Sequence, residues 1–285
     1  MCCQTLIFRQ FLLKSEYMTF THAIILGAVQ GVTEFLPVSS SGHLIFIPKL
    51  FGWQDQGLAF DVIVHMGTLF AVCVYFRKKL RSILYALISR ETGGAYSRKL
   101  GYFLAASIVP AALVGFLLSE VAGVEIRSAK VVAASLIVWA FVLGIAESWQ
   151  KKRAASQKDT NHLTWRDVLV IAFAQVISLI PGTSRSGITM TAGLFRNLGP
   201  QAAAEFSFLM SIPVIAAAGF LKIVQIIKNG MPDIGWSPLF VGFVASGISG
   251  FFAISWLMNL VKKNGFMPFV VYRIIIGLII VVLIV

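Results

Sequence analysis

The sequence predicts an all-α polytopic membrane protein, with about six transmembrane helices and two re-entrant helix–turn–helix hairpins. The composition is the first reason, since 58% of the residues are hydrophobic, 13% are charged and the mean hydropathy is +0.84. A soluble domain of this size is more polar. The second reason is a series of apolar runs near the 20 residues that a membrane span needs. The six runs lie at about residues 60–76, 102–118, 131–146, 203–221, 238–261 and 268–285.

Two further apolar segments, residues 23–52 and 168–199, are each broken near the middle by Pro, Gly and Ser. Proline removes a backbone hydrogen-bond donor, and backbone polar groups at membrane depth must find partners. Such a break is tolerated only where protein or a water-filled cavity surrounds it. Each segment is therefore predicted to be a re-entrant hairpin.

The two broken segments also resemble each other. At a shift of 145 residues Gln30, Ser39, Ser41 and Gly42 fall on Gln175, Ser184, Ser186 and Gly187, and at a shift of 144 Pro37 and Asp61 fall on Pro181 and Glu205. We expect one membrane domain over residues 1–285, built from a first half at 18–150 and a second half at 151–285. An inverted-topology repeat of this kind brings the two hairpin tips together near the middle of the bilayer.

The net charge of +12 is typical of a membrane protein with basic cytoplasmic loops, and no nucleic-acid partner is expected. Lys and Arg collect at residues 77–99, 151–166 and 262–263. Two spans separate each basic loop from the next if the segment 168–199 does not cross completely. All three loops are then cytoplasmic and both termini lie outside.

The cysteines and the N-terminal residues predict little chemistry. Cys2, Cys3 and Cys73 have neither a disulfide pattern nor metal-ligand spacing. Residues 1–17 lack a small-residue cleavage site, so we interpret them as a variable or non-native extension, with Met18 as the alternative start.

The first predicted tip carries a carboxylate, three serines and a histidine. Gln30 and Glu34 are one helical turn apart and share a face, where they are candidates to hold a divalent cation or position a water. An acid at membrane depth is usually functional. Ser39, Ser40, Ser41 and Gly42 offer hydroxyl and N–H groups at a helix N-terminus, which is a site that binds phosphate. His43 follows Ser40 by three residues and is a candidate base, nucleophile or acid.

The second predicted tip places Arg185 among hydroxyl groups. Ser184, Ser186 and Thr189 flank it, and its planar guanidinium suits phosphate oxygens. A structural ion pair with Glu34 or Glu205 is the alternative role for this arginine. The convergence of both tips predicts stabilisation of a transferring phosphoryl group. Three further polar residues near the spans are candidate supporting neighbours of the site: Asp61, Glu205 and Arg273.

The stretches QGVTEFLPVSSSGH and PGTSRSGIT, with EFSFLMSIP and the YR pair at 272–273, resemble the bacterial undecaprenyl-diphosphatase family, also called the bacitracin-resistance family. The resemblance covers about residues 18–285. It implies removal of the terminal phosphate of undecaprenyl diphosphate, which recycles the lipid carrier of cell-wall synthesis. It also implies a bacterial plasma-membrane enzyme with Mg²⁺ or Ca²⁺ and a site open to the periplasmic side. The functional residues implied are Glu34, Ser40, His43 and Arg185. The family motif begins with Glu or Gln, and Gln30 in this chain weakens a two-carboxylate metal site.

Several alternatives stay open at this point. Type 2 phosphatidic acid phosphatases share SGH and SR motifs but need a His six residues after the Arg, where this chain has Thr191. Broken helices also occur in transporters, so a flippase of the polyprenyl phosphate carrier is the main competing function. A purely structural role disagrees with Glu34 and Arg185 at membrane depth. The nucleophile is Ser40, His43 or water, and a homodimer is compatible with a sequence that indicates no particular dimer face.

Overall fold

The computed structural model describes residues 18–89, 94–121, 128–229 and 235–284, and within these ranges the chain folds into eleven α-helices. The predicted N-terminal extension, with Cys2 and Cys3, lies outside the described residues. The helices are α1 (Phe20–Phe35), α2 (Ser40–Phe51), α3 (Gly57–Tyr75), α4 (Arg77–Ser89), α5 (Ala95–Val121), α6 (Ala129–Lys151), α7 (Trp165–Val176), α8 (Arg185–Phe195), α9 (Pro200–Asn229), α10 (Trp236–Asn264) and α11 (Met267–Ile284). The predicted all-α class is confirmed.

Five helices among the described residues are long and apolar enough to cross a membrane. They are α3, α5, α6, α9 and α10. Each matches one of the runs identified in the sequence. The sixth run corresponds to α11, whose apolar part, Met267–Leu283, is shorter than the other five. The chain is therefore a multi-pass membrane protein with five candidate spans and a shorter apolar helix at its end.

The two broken segments form pairs of short helices. Helix α1 has 16 residues and is followed by the turn 36–39 and by α2, which has 12. Helix α7 has 12 residues and is followed by one 3₁₀ turn, Ile177–Leu179, and then by α8, which has 11. At 1.5 Å per residue the longest of these helices extends for about 24 Å, which is less than the hydrocarbon thickness of a bilayer.

Small residues allow α10 to pack closely on α1 and α3. A Cβ at Gly31 of α1 would lie 1.9 Å from Ser249 Oγ, and a Cβ at Gly67 of α3 would lie 2.1 Å from Ser246 Oγ. In a membrane, helix association depends on such backbone proximity because lipid tails are as apolar as the side chains. The glycines therefore fix the distance between the first broken segment and the spans around it.

The three basic segments meet at one end of the molecule. Lys79 Nζ forms an ion pair with Glu205 and donates a 3.4 Å hydrogen bond to Thr160 Oγ1. A cavity of about 640 Å³ at this end is lined by Lys151 and Lys158 from one segment and by two lysines of the last turn of α10. Those two lysines are Lys262 and Lys263. This common location agrees with the charge distribution on which the predicted topology rests.

Asp167 anchors the start of α7 at the same end. Its carboxylate accepts hydrogen bonds from Thr164 Oγ1 (2.8 Å), Arg196 Nε (2.8 Å) and Lys158 Nζ (3.1 Å), and it completes a capping box with Thr164. Burial by itself raises the pKa of Asp167, but the hydrogen bonds from Thr164, Arg196 and Lys158 outweigh it, so the pKa lies below its ordinary value. The second broken segment is thereby tied to the loop before it.

Candidate active site

The first tip is a sharp turn closed by a serine. Ser39 has φ 73° and ψ 93°, a backbone conformation in the left-handed half of the map that is unusual for a residue other than glycine. Its Oγ accepts a 3.3 Å hydrogen bond from Gly42 N and so caps α2. Because the first N–H groups of a helix have no intrahelical partner, those of Ser40 and Ser41 are the donors that this geometry presents to an anion.

The second tip repeats this local geometry. Ser184 has φ 70° and ψ 110°, and its Oγ accepts a 3.0 Å hydrogen bond from Gly187 N at the start of α8. The hydroxyl groups of Ser184 and Ser186 are 3.2 Å apart, and those of Ser39 and Ser41 are 3.3 Å apart. The sequence match between the tips therefore corresponds to a match in backbone conformation and capping.

The two tips touch. Ser186 Oγ donates a 2.9 Å hydrogen bond to the carbonyl oxygen of Leu36 in the first tip. Across the same junction Arg185 Nη2 lies 2.7 Å from Glu34 Oε1. The structure thus brings together the residues that the sequence predicted at one site from positions about 150 apart in the chain.

Arg273 of α11 donates hydrogen bonds to both tips. Its side chain is buried, with 1% of the residue exposed. Its guanidinium donates to five backbone carbonyl oxygens: Pro37 (3.2 Å), Gly182 (3.3 Å), Thr183 (3.0 Å), Ser135 (3.4 Å) and Leu136 (3.2 Å). The first three belong to the tips and the last two to α6. The charge of this arginine is therefore compensated by carbonyl dipoles, and Arg273 joins the tips to the neighbouring span.

Glu34 lies at the centre of the junction with only 5% of its side chain exposed. Its Oε1 accepts from Arg185. Its Oε2 accepts from Ser40 Oγ at 2.7 Å and from Gln30 Nε2 at 3.0 Å. Buried carboxylates need such partners because desolvation of an isolated charge is costly. Ser40 and Arg185, which are equivalent at the shift of 145, are both partly exposed and approach the same acid.

His65 is a neighbour of Glu34 that the sequence reasoning left outside the site. Its Nε2 lies 3.4 Å from Glu34 Oε2, and its Nδ1 donates to the carbonyl oxygen of Asp61 at 2.6 Å. Asp61 Oδ1 in turn accepts from Gln56 Nε2 at 2.7 Å. Asp61 is therefore connected to Glu34 through His65. The available signal was the spacing of four between Asp61 and His65, which places both on one face of α3.

His43 and Ser40 have different partners. The Ser40 hydroxyl is directed to Glu34, whereas His43 Nδ1 lies 2.7 Å from the carbonyl oxygen of Ser39 and His43 Nε2 lies 2.7 Å from the hydroxyl of Tyr272. Tyr272 was not among the predicted site residues. The sequence signal for it was the YR pair at 272–273, which is one of the stretches that carry the family resemblance.

The hydroxyl groups around Arg185 form a second cluster. Thr189 Oγ1 lies 2.7 Å from Ser207 Oγ and donates to the carbonyl oxygen of Arg185 at 2.9 Å. Arg185 Nη1 donates to the carbonyl oxygen of Ser207 at 3.4 Å. Glu205 is the predicted neighbour that lies elsewhere, since it pairs with Lys79 at the basic end.

The predicted metal ligands lie side by side. Glu34 offers carboxylate oxygens, and Gln30 Oε1 is buried without a hydrogen-bond partner. These are hard oxygen donors of the kind that Mg²⁺ and Ca²⁺ prefer. Within the described ranges no group of three or more His, Cys, Asp and Glu side chains is arranged to hold a metal ion. The donor set therefore fits an ion that takes most of its ligands from phosphate oxygens and water.

Comparison with known proteins identifies the family of the chain. The family model described as bacitracin resistance protein BacA matches residues 23–279. The undecaprenyl-diphosphatase of Thioalkalivibrio sulfidiphilus is 41% identical over 262 residues, which are 91% of this chain and 97% of the relative. Undecaprenyl-diphosphatase 1 of Pseudoalteromonas translucida is 42% identical with the same coverage, and the enzyme of Hahella chejuensis is 43% identical over 91% of this chain and 96% of its own. The chain belongs to the BacA bacitracin-resistance family.

Proposed function

We propose that the chain is an integral membrane phosphatase that hydrolyses undecaprenyl diphosphate to undecaprenyl phosphate and inorganic phosphate. This activity recycles the lipid carrier for cell-wall synthesis and confers resistance to bacitracin. The names of the relatives support the substrate, since these relatives match nearly the whole chain. The observation that carries the proposal is the meeting of Ser40 and Arg185 on Glu34, because it places a hydroxyl nucleophile beside a phosphate-binding cation.

The diphosphate binds where the two helix N-termini converge. Arg185 supplies the charged fork, and the N-terminal N–H groups of α2 and α8 supply further donors. Donors that are fixed before the substrate arrives stabilise charge developing on the phosphoryl oxygens without reorganisation. The residues that we assign to phosphate binding are Ser39, Ser41, Gly42, Ser184, Ser186 and Thr189.

Ser40 attacks the terminal phosphorus, and Glu34 accepts its proton. The bond between this phosphorus and the bridging oxygen breaks, and undecaprenyl phosphate leaves with that oxygen. Water then cleaves the Ser40 phosphoester, phosphate is released and the serine recovers its proton from Glu34. The 2.7 Å hydrogen bond from Ser40 to Glu34 supports this assignment over attack by His43, whose Nε2 faces Tyr272.

Mg²⁺ or Ca²⁺ would be held by Glu34 and Gln30 Oε1 together with oxygens of the diphosphate. A divalent cation neutralises phosphate charge and polarises the phosphorus–oxygen bond. Mg²⁺ in particular is usually bound through one or two carboxylates and the phosphates of the substrate.

The chain is best placed in the bacterial plasma membrane with its basic end in the cytoplasm. The two short-helix pairs are then re-entrant hairpins of an inverted repeat with halves at 18–150 and 151–285, and the site opens to the periplasmic side. The matched caps of Ser39 and Ser184 support a duplication. The partners are the polyprenyl diphosphate and the bilayer. The proposal holds equally for a monomer and a homodimer, because all of the site residues come from one chain.

Phosphate release from undecaprenyl diphosphate by the detergent-purified protein tests the proposal, with and without Mg²⁺ or Ca²⁺. We expect metal-dependent release that Glu34→Gln, Ser40→Ala and Arg185→Gln each lower at least 100-fold. Ser148→Ala, at an exposed serine bonded only to its own helix, is the matched control. A phosphoenzyme that resists acid identifies Ser40, an acid-labile one identifies His43, and none favours direct attack by water.

A folded wild-type protein that releases no phosphate under any of these conditions would contradict the proposed phosphatase activity. Reconstituted vesicles then test the alternative function, which is transport of polyprenyl phosphate across the bilayer.

A further inference from the structure

The contact between His43 and Tyr272 joins the first tip to the last helix of the chain. His43 Nε2 lies 2.7 Å from the Tyr272 hydroxyl, and the two rings are parallel within 9° with centroids 5.7 Å apart. The residues are 229 positions apart in sequence. Only 6% of His43 is exposed, so its ring has little freedom beyond these contacts.

Hydrogen-bonding chemistry determines which ring nitrogen of His43 carries the proton. Nδ1 lies 2.7 Å from the carbonyl oxygen of Ser39, and a carbonyl oxygen only accepts. Nδ1 must therefore be protonated. In the neutral ring Nε2 then holds a lone pair, and the Tyr272 hydroxyl donates to it.

Tyr272 is itself held in register with the tips. The adjacent residue, Arg273, donates to carbonyl oxygens of both tips and of α6. A shift of α11 that removed Tyr272 from His43 would also break the bonds of Arg273. The tyrosine hydroxyl is therefore fixed relative to the tip that carries His43.

We propose that Tyr272 is a positioning residue for His43: its hydroxyl, which donates to Nε2, keeps the imidazole in the Nδ1–H tautomer, and Nδ1 then holds the Ser39 carbonyl of the tip that carries Ser40. This inference rests on the proposed phosphatase function for its catalytic consequence. The first tip then contains two separate hydrogen-bonded pairs, Ser40 with Glu34 and His43 with Tyr272. The partner of one imidazole nitrogen commonly sets the role of the other, and loss of a partner that orients a histidine costs about 10- to 100-fold in metal sites.

Tyr272→Phe isolates the hydroxyl, because the phenyl ring can still stack on His43. We expect kcat to fall about 10- to 100-fold with KM changed less than about twofold. Tyr102→Phe, at an exposed tyrosine of α5, is the matched control and should retain wild-type kinetics. The effect of Tyr272→Phe should disappear in a His43→Gln background, since a residue that acts only through His43 has nothing left to position.

A second measurement does not depend on activity. The chain has four histidines, so ¹⁵N-histidine NMR of the protein in micelles gives few signals, and His43→Gln assigns the one of interest. We expect the neutral Nδ1–H tautomer for His43 in the wild type and a changed Nε2 signal in Tyr272→Phe.

Three results would overturn the proposal: an Nε2–H tautomer of His43 in the wild type, a Tyr272→Phe protein with unchanged kcat, or an equal loss of kcat with and without His43. If His43→Gln is inactive, the NMR signals decide. If the wild type releases no phosphate, the proposed function fails, while the tautomer measurement still tests the positioning of His43.

Discussion

The five hydrogen bonds that Arg273 donates to carbonyl oxygens of the tips and of α6 predict that its substitution will strongly lower catalysis and will lower stability less. Arg273→Met keeps an unbranched apolar stem and removes all five hydrogen bonds to carbonyl oxygens. Ser135 and Leu136 lie within α6, where a carbonyl also accepts a helical hydrogen bond. The carbonyl oxygens of Pro37 and of the second tip have no such alternative in the helix ladder, so they bear most of the loss.

The opposing free energies are of similar size. Each of the three tip carbonyls left buried without a partner costs about 1–3 kcal/mol. Removal of a buried guanidinium relieves a desolvation penalty that is itself several kcal/mol. We therefore expect the free energy of unfolding to change by less than about 4 kcal/mol. A misplacement of about 1 Å at a reacting group costs about 100-fold in rate, so kcat/KM should fall by at least that factor.

The assay combines phosphate release with thermal unfolding in the same detergent. Arg273→Lys is the informative second variant, because an ammonium keeps the charge but cannot span carbonyls on several sides. We expect it to recover part of the stability and little of the activity. Arg98→Gln, at an arginine that donates to the carbonyl oxygen of Ala86 far from the tips, controls for loss of a cation. Full activity of folded Arg273→Met would show that the hydrogen bonds of Arg273 do not position the two tips.

Two further predictions concern stability. Gly67→Ala would bring its Cβ to 2.3 Å from the carbonyl oxygen of Phe243, so we expect a loss of about 1–3 kcal/mol in detergent melts, whereas Gly247→Ala, with its nearest contact at 3.3 Å, should lose less; equal losses would contradict the close-packing argument. Asp167→Asn should destabilise by about 1–3 kcal/mol at neutral pH. Because the pKa of Asp167 is depressed in the folded state, its contribution is present above about pH 4 and is lost as the pH falls through the folded value, so wild type and variant should converge in acid melts. Curves that stay parallel down to pH 2 would disprove this origin.

Much of the candidate site could be predicted from local sequence, because most of the residues that we assign to it lie beside breaks in apolar segments. Glu34 and Arg185 were predicted to converge from the similarity of those breaks, and they form an ion pair. The ends of the spans were less predictable. Helices α5 and α9 continue through Pro110 and Pro213, and α9 extends over Pro200–Asn229 where hydropathy indicated 203–221. Proline is tolerated within membrane helices when neighbours satisfy the freed carbonyl.

The contacts that other helices make with the first broken segment could not be predicted. His65 reaches Glu34 across 31 positions and Tyr272 reaches His43 across 229. Periodicity states which face of a helix a residue occupies but not which face of another helix it meets. The choice of Ser40 between Glu34 and His43 depends on a side-chain rotamer, for which the sequence pattern carries no information.

The backbone of Ser39 and Ser184 has a consequence for attempts to stabilise the protein. A non-glycine residue with positive φ costs about 1–3 kcal/mol, and glycine would relieve that cost at both tips. Glycine has no hydroxyl, however, and the N–H groups of Gly42 and Gly187 would lose the oxygens that hold them. Selection for heat resistance alone would therefore favour glycine at these two positions. The resulting proteins would be more stable but would have loosened helix starts at the place where we propose that the phosphates bind.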